Sequence, residues 1–213
     1  MAKGLTVRSL QAFAGAFVVA GFAALAADEI GASSAVLAHI TSPAASTQVT
    51  PVVGDLPDVA IEAADGTHTT FAATDGHVRI ATMFYSHCPG VCPMTIDALR
   101  GIDRQLTPEQ QARLSFVLLT LDPTRDSPPA LRALARERGI DSSRWLLGRT
   151  SAGDARAFAS AAHLQYRPLA DGSIDHSATL VLVNARGRLL ARASDAEDTA
   201  EFVAAVRRAV GGQ

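Results

Sequence analysis

The sequence contains few cysteines and no long run of basic residues, and these absences exclude several classes of protein. Two cysteines among 213 residues are too few for a disulfide-rich scaffold or for a tetrahedral zinc site built on cysteine alone. The 19 basic and 21 acidic residues nearly balance, so the charge gives no reason to expect nucleic-acid binding. With 48% hydrophobic residues, the composition is that of a globular protein of one or two domains.

Acidic residues are absent from the first 27 positions, which have the pattern of an export segment. Lys3 and Arg8 precede the uncharged apolar residues 9–27, and Ala24-Leu25-Ala26 provides a small-x-small cleavage motif. Residues 1–26 are therefore predicted to be a signal peptide. The apolar stretch also approaches the roughly 20 residues that span a bilayer, so an uncleaved membrane anchor is the alternative. Both interpretations place the rest of the chain outside the cytoplasm.

The remaining chain divides into a linker and one folded domain. Residues 27–50 are rich in Ala, Ser and Thr without periodicity, which predicts a flexible linker, and the domain is expected over residues 51–213. Within it, strand-like and helix-like patterns alternate, which predicts an α/β sandwich with a partly parallel sheet. Strands are predicted at residues 59–62 and 68–72, joined as a hairpin by an Asp-Gly turn, and at 78–85, 114–121, 179–183 and 189–192. Helices are predicted after Pro93, from near Ser127, over 152–164 and over 196–210.

Both cysteines lie in the segment FYSHCPGVCPM, residues 84–94, between a buried strand and a helix. Ligands gather at the carboxyl ends of strands in open α/β sheets. Pro93 suits the first position of the helix, which would place Cys92 at or near the N-cap. The helix dipole and the unpaired amides there favour a thiolate, which is the form that binds metal or attacks a disulfide.

A purely structural disulfide between the two cysteines is the simplest alternative. Its closed loop is so short that it would contribute only roughly 2 kcal/mol, and a domain of this size does not need it. Metal binding and thiol redox chemistry are therefore favoured. A soft thiolate pair suits Cu(I), and an imidazole would complete a three-coordinate site. Among six histidines, His176 stands just before a predicted strand, in a loop that could return to the same end of the sheet.

Three separated segments together resemble the Sco/SenC family of copper-binding, thioredoxin-like proteins. CPGVCP, at residues 88–93, resembles the family's CPxxCP-type metal loop, LDPTRDSP at 121–128 resembles its DPxRDTP turn, and DHS at 175–177 resembles its histidine loop. The resemblance covers about residues 51–210. It implies a thioredoxin-like sandwich in which helices flank a central mixed sheet, with the β-hairpin at its N-terminal end.

The resemblance implies that Cys88, Cys92 and His176 are copper ligands for Cu(I), Cu(II) or both. Asp175 is expected to orient the histidine ring as an outer carboxylate, and Asp122 is expected to hold a turn beside the site. Members of the family bind copper outside the cytoplasmic membrane and help to assemble the binuclear copper centre of cytochrome c oxidase. Many members have Asp at the position where this chain has Gly90. In those members, the acidic residue has been connected with copper handling and partner contact.

The expected function is therefore a copper metallochaperone in the periplasm or on the outer face of the cytoplasmic membrane. Its expected partners are a copper-accepting subunit of a respiratory enzyme and another copper chaperone or a thiol reductase. The main alternative is a thiol-disulfide oxidoreductase that cycles a disulfide between Cys88 and Cys92. Such enzymes usually have CxxC and a loop proline, whereas this chain has CxxxC and no proline after His176. A copper or redox sensor that uses the same cysteines is the third possibility.

Overall fold

The computed structural model describes residues 54–74, 76–88, 91–194 and 199–211, with the backbone alone at positions 91 and 92. The predicted export segment, the linker and the first residues of the predicted domain lie outside this part of the chain, as do Pro89 and Gly90. None of the helices in the described residues is long and apolar enough to cross a membrane.

A mixed seven-stranded sheet forms the centre of the described domain, and a separate two-stranded hairpin stands beside it. The strands are β1 (Ala60–Ala63), β2 (His68–Thr70), β3 (Val78–Phe84), β4 (Leu114–Thr120), β5 (Trp145–Arg149), β6 (Tyr166–Pro168), β7 (Ile174–His176), β8 (Leu180–Val183) and β9 (Leu189–Ala193). The order across the large sheet is β2-β1-β5-β4-β3-β8-β9, while β6 pairs only with β7 among the described strands. β3, β4 and β5 are parallel, and the other pairs are antiparallel.

The central strand β3 is buried on both faces because helices cover both sides of the sheet. All seven of its residues are buried. Val78, Ile80 and Phe84 pack into one apolar cluster, whereas Ala81 and Met83 pack into the other. This division follows from the strand period of two, which sends successive side chains to opposite faces.

The described residues form five α-helices. They are α1 (Val91–Arg104), α2 (Pro108–Gln111), α3 (Pro128–Glu137), α4 (Ala152–Ala161) and α5 (Ala200–Gly211). Residues of α1, α3 and α5 pack into the cluster on one face, and residues of α4 pack into the cluster on the other. The predicted α/β sandwich with a mixed sheet flanked by helices is confirmed.

The N-terminal hairpin and the partly parallel character of the sheet agree with the predictions. β1 and β2 pair antiparallel around a turn in which Gly66 has a φ of 90°, a conformation that glycine adopts without strain. β3 and β4 run parallel in register from Val78 opposite Leu114 to Phe84 opposite Thr120. The carboxyl ends of these two strands therefore lie side by side at one edge of the sheet.

Several features differ from the expectations, among them the short helix α2, which was not predicted. The parallel strand β5 and the hairpin β6-β7 were not predicted, and α1 begins at Val91 rather than at Pro93. Cys92 is consequently the second helical residue instead of the N-cap. A proline at the third position is tolerated because the first four N–H groups of a helix have no partner within the helix. Cys92 still lies in the first helical turn, where the dipole favours a thiolate.

Candidate metal centre

Cys88 closes a tight turn immediately after β3. Its backbone N–H donates a hydrogen bond to the carbonyl oxygen of Tyr85 at 3.2 Å. Cys88 itself is half-buried and packs against the apolar cluster on the α1 face of the sheet. Cys92 follows in the first turn of α1. The strand, the turn and the helix thus bring both cysteine positions to the carboxyl edge of the sheet.

His176 is the last residue of β7, so a hairpin carries it rather than the loop that the sequence suggested. Its Nδ1 lies 3.1 Å from the carbonyl oxygen of Ser177. A carbonyl can only accept a hydrogen bond, so Nδ1 carries the ring proton and Nε2 carries the lone pair that a metal would bind. Burial lowers the pKa of His176 below its ordinary value, although the Ser177 carbonyl and the charge of Asp175 oppose that shift. The ring therefore remains in its neutral, metal-binding form at neutral pH.

Tyr85 connects the cysteine turn to the histidine hairpin. Its carbonyl accepts the hydrogen bond from Cys88, and its ring packs edge-on against the His176 ring with the two centroids 5.7 Å apart. The Tyr85 hydroxyl also accepts a hydrogen bond from the backbone N–H of Ile174 at 3.4 Å. Tyr85 is buried. One aromatic residue therefore contacts the segments that carry two of the three predicted ligands.

The lowered pKa of His176 predicts a pH dependence of stability in the copper-free protein. We expect the free energy of unfolding to decrease as the pH falls below about 6.5, because the unfolded chain then binds a proton that the folded ring does not yet accept. Urea unfolding of the wild type and of His176→Gln at about pH 7.5 and about pH 5.5 measures this contribution. The wild type should lose more stability over the interval than the variant. Equal losses in the two proteins would contradict the buried, neutral ring.

The two carboxylates predicted around the ligands have different surroundings. Asp175 is mostly exposed and lies 3.2 Å from the guanidinium of Arg167, and the hydrogen bond on Nδ1 of His176 involves Ser177 instead. The negative charge of Asp175 acts to raise the pKa of the His176 ring, against the larger effect of burial. Asp122 accepts hydrogen bonds from the backbone N–H of Arg125 at 3.3 Å and from the Arg125 guanidinium.

Sequence reasoning gave no role at the site to two buried residues, Tyr85 and Asp126. Asp126 has no exposed surface, and its carboxylate accepts hydrogen bonds from the backbone and the hydroxyl of Ser86. Both residues adjoin motifs that the sequence displays, Tyr85 at the end of the apolar strand and Asp126 within LDPTRDSP. Their contacts join segments about 40 residues or more apart, so the sequence pattern alone does not display them.

The described side chains do not complete a metal site by themselves. Among them, no three His, Cys, Asp or Glu side chains are grouped closely enough to hold a metal ion, and the Cys92 side chain is not one of those described. The side chain of His87 is 58% exposed, and its Nδ1 lies 2.9 Å from the Ser86 hydroxyl and 3.6 Å from Oδ1 of Asp126. Met94 in α1 is half-exposed.

The sheet order and the Cys-x3-Cys segment at the junction of strand and helix define a thioredoxin-like α/β protein. Residues 60–211 match the SCO1/SenC family model. The chain belongs to the SCO1/SenC family, as the three sequence segments indicated.

Individual proteins and solved structures are also similar to this chain. A Stutzerimonas stutzeri protein named "Putative copper-binding protein" is 32% identical over 119 residues, which are 54% of this chain and 56% of that protein. The chain therefore spans little more than half the length of this curated relative. The solution structure of apo Sco1 from Thermus thermophilus is 26% identical with a TM-score of 0.61 and covers 75% of this chain and 94% of its own. The copper-bound ScoI structure from Bradyrhizobium japonicum is 19% identical, with a TM-score of 0.60, and covers 73% of this chain and 99% of its own.

Proposed function

We propose that this protein is a copper metallochaperone that binds one copper ion through Cys88, Cys92 and His176. It acts outside the cytoplasm and delivers the ion to a respiratory copper enzyme in the course of cytochrome c oxidase assembly. The observation that carries the proposal is the position of Tyr85, which contacts both the turn of Cys88 and the hairpin of His176.

The family and the names of the relatives support copper as the cargo. The chain belongs to the SCO1/SenC family, one relative is named as a copper-binding protein, and the Bradyrhizobium japonicum ScoI structure contains copper. The proposed donors fit that metal, because thiolate sulfur and neutral imidazole are ligands that Cu(I) prefers. With both thiols deprotonated, the three ligands carry two negative charges and Cu(I) leaves a net charge of −1.

The surroundings of the proposed ligands suit a cargo that is bound and then released. Cys88 is half-buried and packs against apolar side chains, and an apolar surrounding limits the access of water to a metal ligand. His176 lines an open cavity of about 470 Å³ together with Gln165, Arg167 and Ser177. A donor atom of an acceptor protein can approach the ion from this cavity and replace the histidine first.

Copper binding is tested by competition with a Cu(I) chelator, using reduced protein under anaerobic conditions. We expect the wild type to bind one Cu(I) and His176→Ala to lose at least tenfold in affinity, about 1.4 kcal/mol, because one of three ligands is removed. His77→Ala is the matched control, since His77 is exposed and precedes β3 at the strand end far from Cys88. Wild-type affinity in His176→Ala, or no specific binding by the wild type, would overturn the proposed site.

Delivery requires a second measurement with an acceptor. The copper-loaded protein is mixed with the copper-free, soluble copper-binding domain of an oxidase subunit, and the metal content of both proteins is measured after separation. A metallochaperone loses its copper to the acceptor, whereas a sensor keeps it. If the copper-free protein instead reduces a disulfide in that domain and no copper moves, the chain is a thiol-disulfide oxidoreductase.

A further inference from the structure

Asp126 carries a fully buried carboxylate next to the cysteine turn, although it is not one of the predicted ligands. Its Oδ2 accepts a hydrogen bond from the backbone N–H of Ser86 at 2.9 Å and another from the hydroxyl of Thr120. Its Oδ1 accepts one from the hydroxyl of Ser86. A carboxylate without solvent is tolerated only when hydrogen bonds satisfy it, so these three donors fix the position of Asp126 relative to both strand ends.

These contacts fix the turn that holds Cys88. The hydrogen bond from Cys88 N–H to Tyr85 closes that turn, and Ser86 is its second residue. Asp126 accepts hydrogen bonds from both the backbone N–H and the hydroxyl of Ser86, so it fixes the position of this residue. A movement of Ser86 would change the direction in which Cys88 leaves the turn, because only His87 separates the two.

The same segment contacts the hairpin that carries His176. Asp122 binds the Arg125 guanidinium, whose Nη2 donates a hydrogen bond to the carbonyl of Gly172 at 2.6 Å. Gly172 lies in the connection between β6 and β7, and His176 ends β7. Residues 122–126 form a turn, in which the backbone N–H of Asp126 donates a hydrogen bond to the Asp122 carbonyl at 2.9 Å. We call these residues the bracing turn.

We propose that the bracing turn sets the distance between Cys88 and His176, with Asp126 as the positioning residue for the cysteine side and Arg125 as the positioning residue for the histidine side. This role rests on the proposed copper site, for which it supplies the geometry. Neither residue binds the metal. Both residues hold the ligands in their binding arrangement before the ion arrives. This preorganisation raises the affinity for the ion, because less ordering is needed on binding.

The test measures Cu(I) affinity by chelator competition in Asp126→Ala, Asp126→Asn and Arg125→Gln. Ala removes all three acceptor contacts, so a loss of at least tenfold is expected, within the range of roughly 10-fold to 100-fold found for outer partners of metal ligands. Asn can still accept from Ser86 N–H and donate to the Ser86 hydroxyl, so it should retain affinity within about threefold of the wild type. Arg125→Gln cannot reach Asp122 and Gly172 together, and a loss of at least tenfold is expected.

A matched control separates positioning from general loss of stability. Asp103 forms a partly buried ion pair with Arg144 at the opposite edge of the sheet, and Asp103→Ala should leave the Cu(I) affinity unchanged. Affinities are compared under conditions in which unfolding curves show every variant folded. If Asp126→Ala does not fold, Ser86→Ala replaces it in the test. This variant removes the Ser86 hydroxyl, which is one of the three donors to Asp126, and it is expected to lower the Cu(I) affinity by at least threefold.

Backbone hydrogen exchange in the copper-free protein provides a measurement that does not depend on copper. We expect Asp126→Ala to accelerate exchange of the Ser86 and Cys88 amides at least tenfold, with no such change in Asp103→Ala. A wild type that fails to bind Cu(I) would refute the copper site, while the exchange data would still test the brace. Unchanged exchange and affinity in Asp126→Ala would overturn the brace. An equal loss of affinity in Asn and Ala would also overturn it, since charge rather than position would then be responsible.

Discussion

Cys88→Ser is expected to lower the Cu(I) affinity of the reduced protein by more than 100-fold. A serine hydroxyl has nearly the shape of a thiol, but it does not ionise at neutral pH and its oxygen is a hard ligand that Cu(I) disfavours. Loss of outer partners costs roughly 10-fold to 100-fold, and loss of a thiolate that binds the ion directly should exceed that range. The same substitution removes any disulfide between Cys88 and Cys92.

Chelator competition measures this effect, with Met94→Leu as the control. Met94 presents a half-exposed sulfur in α1, two positions after Cys92, so its removal tests whether any nearby sulfur supports binding. We expect Met94→Leu to bind within about threefold of the wild type, well below the outer-partner range. A loss of less than tenfold in Cys88→Ser would refute Cys88 as a ligand. Equal losses in both variants would indicate a diffuse sulfur site.

Arg79→Ala is expected to reduce the free energy of unfolding by about 3–5 kcal/mol, a large part of the roughly 5–15 kcal/mol that stabilises an ordinary domain. Arg79 lies in β3 with no exposed surface. Its Nη1 donates hydrogen bonds to the Phe71 carbonyl at 2.8 Å and to the Thr74 hydroxyl at 2.6 Å. Its guanidinium also stacks on the Phe71 ring at 4.6 Å. Alanine would leave these acceptors without that donor and open a cavity below the ring.

Equilibrium unfolding in guanidinium chloride measures this loss, provided that the slope of the transition is unchanged. Arg186→Ala is the matched control, because Arg186 is exposed in the turn between β8 and β9, and a change within about 0.5 kcal/mol is expected there. A loss below about 1 kcal/mol in Arg79→Ala would show that the buried guanidinium contributes little beyond its own desolvation cost.

Local patterns in the sequence predicted much of the fold. The apolar run at residues 78–85 predicted a strand buried on both faces, and the Asp-Gly turn predicted the first hairpin. Both are confirmed, because each depends on neighbours only a few positions apart. β5 was missed because this strand has only five residues, WLLGR, and includes Gly and Arg. Its stability comes from pairing with β4, where Leu118 lies opposite Leu147.

The hairpin β6-β7, which carries His176, was also missed because its strands are short and depend on distant contacts. Neither β6 nor β7 has more than three residues, too few for a strand period to be recognised. Non-local contacts fix the hairpin, since Tyr85 binds the Ile174 N–H and Arg125 binds the Gly172 carbonyl. These partners lie 89 and 47 positions away in the chain.

The sequence by itself determined the family and the chemical types of the proposed ligands, because CPGVCP, LDPTRDSP and DHS are contiguous motifs whose residues can be read directly. Only the tertiary structure decided which groups support those ligands. It gave the Nδ1–H of the histidine ring an acceptor, the Ser177 carbonyl, and it buried Asp126 beneath the cysteine turn. The physical reason is that burial and hydrogen bonding depend on which distant segments meet when the parallel strands align, and no local pattern specifies that meeting.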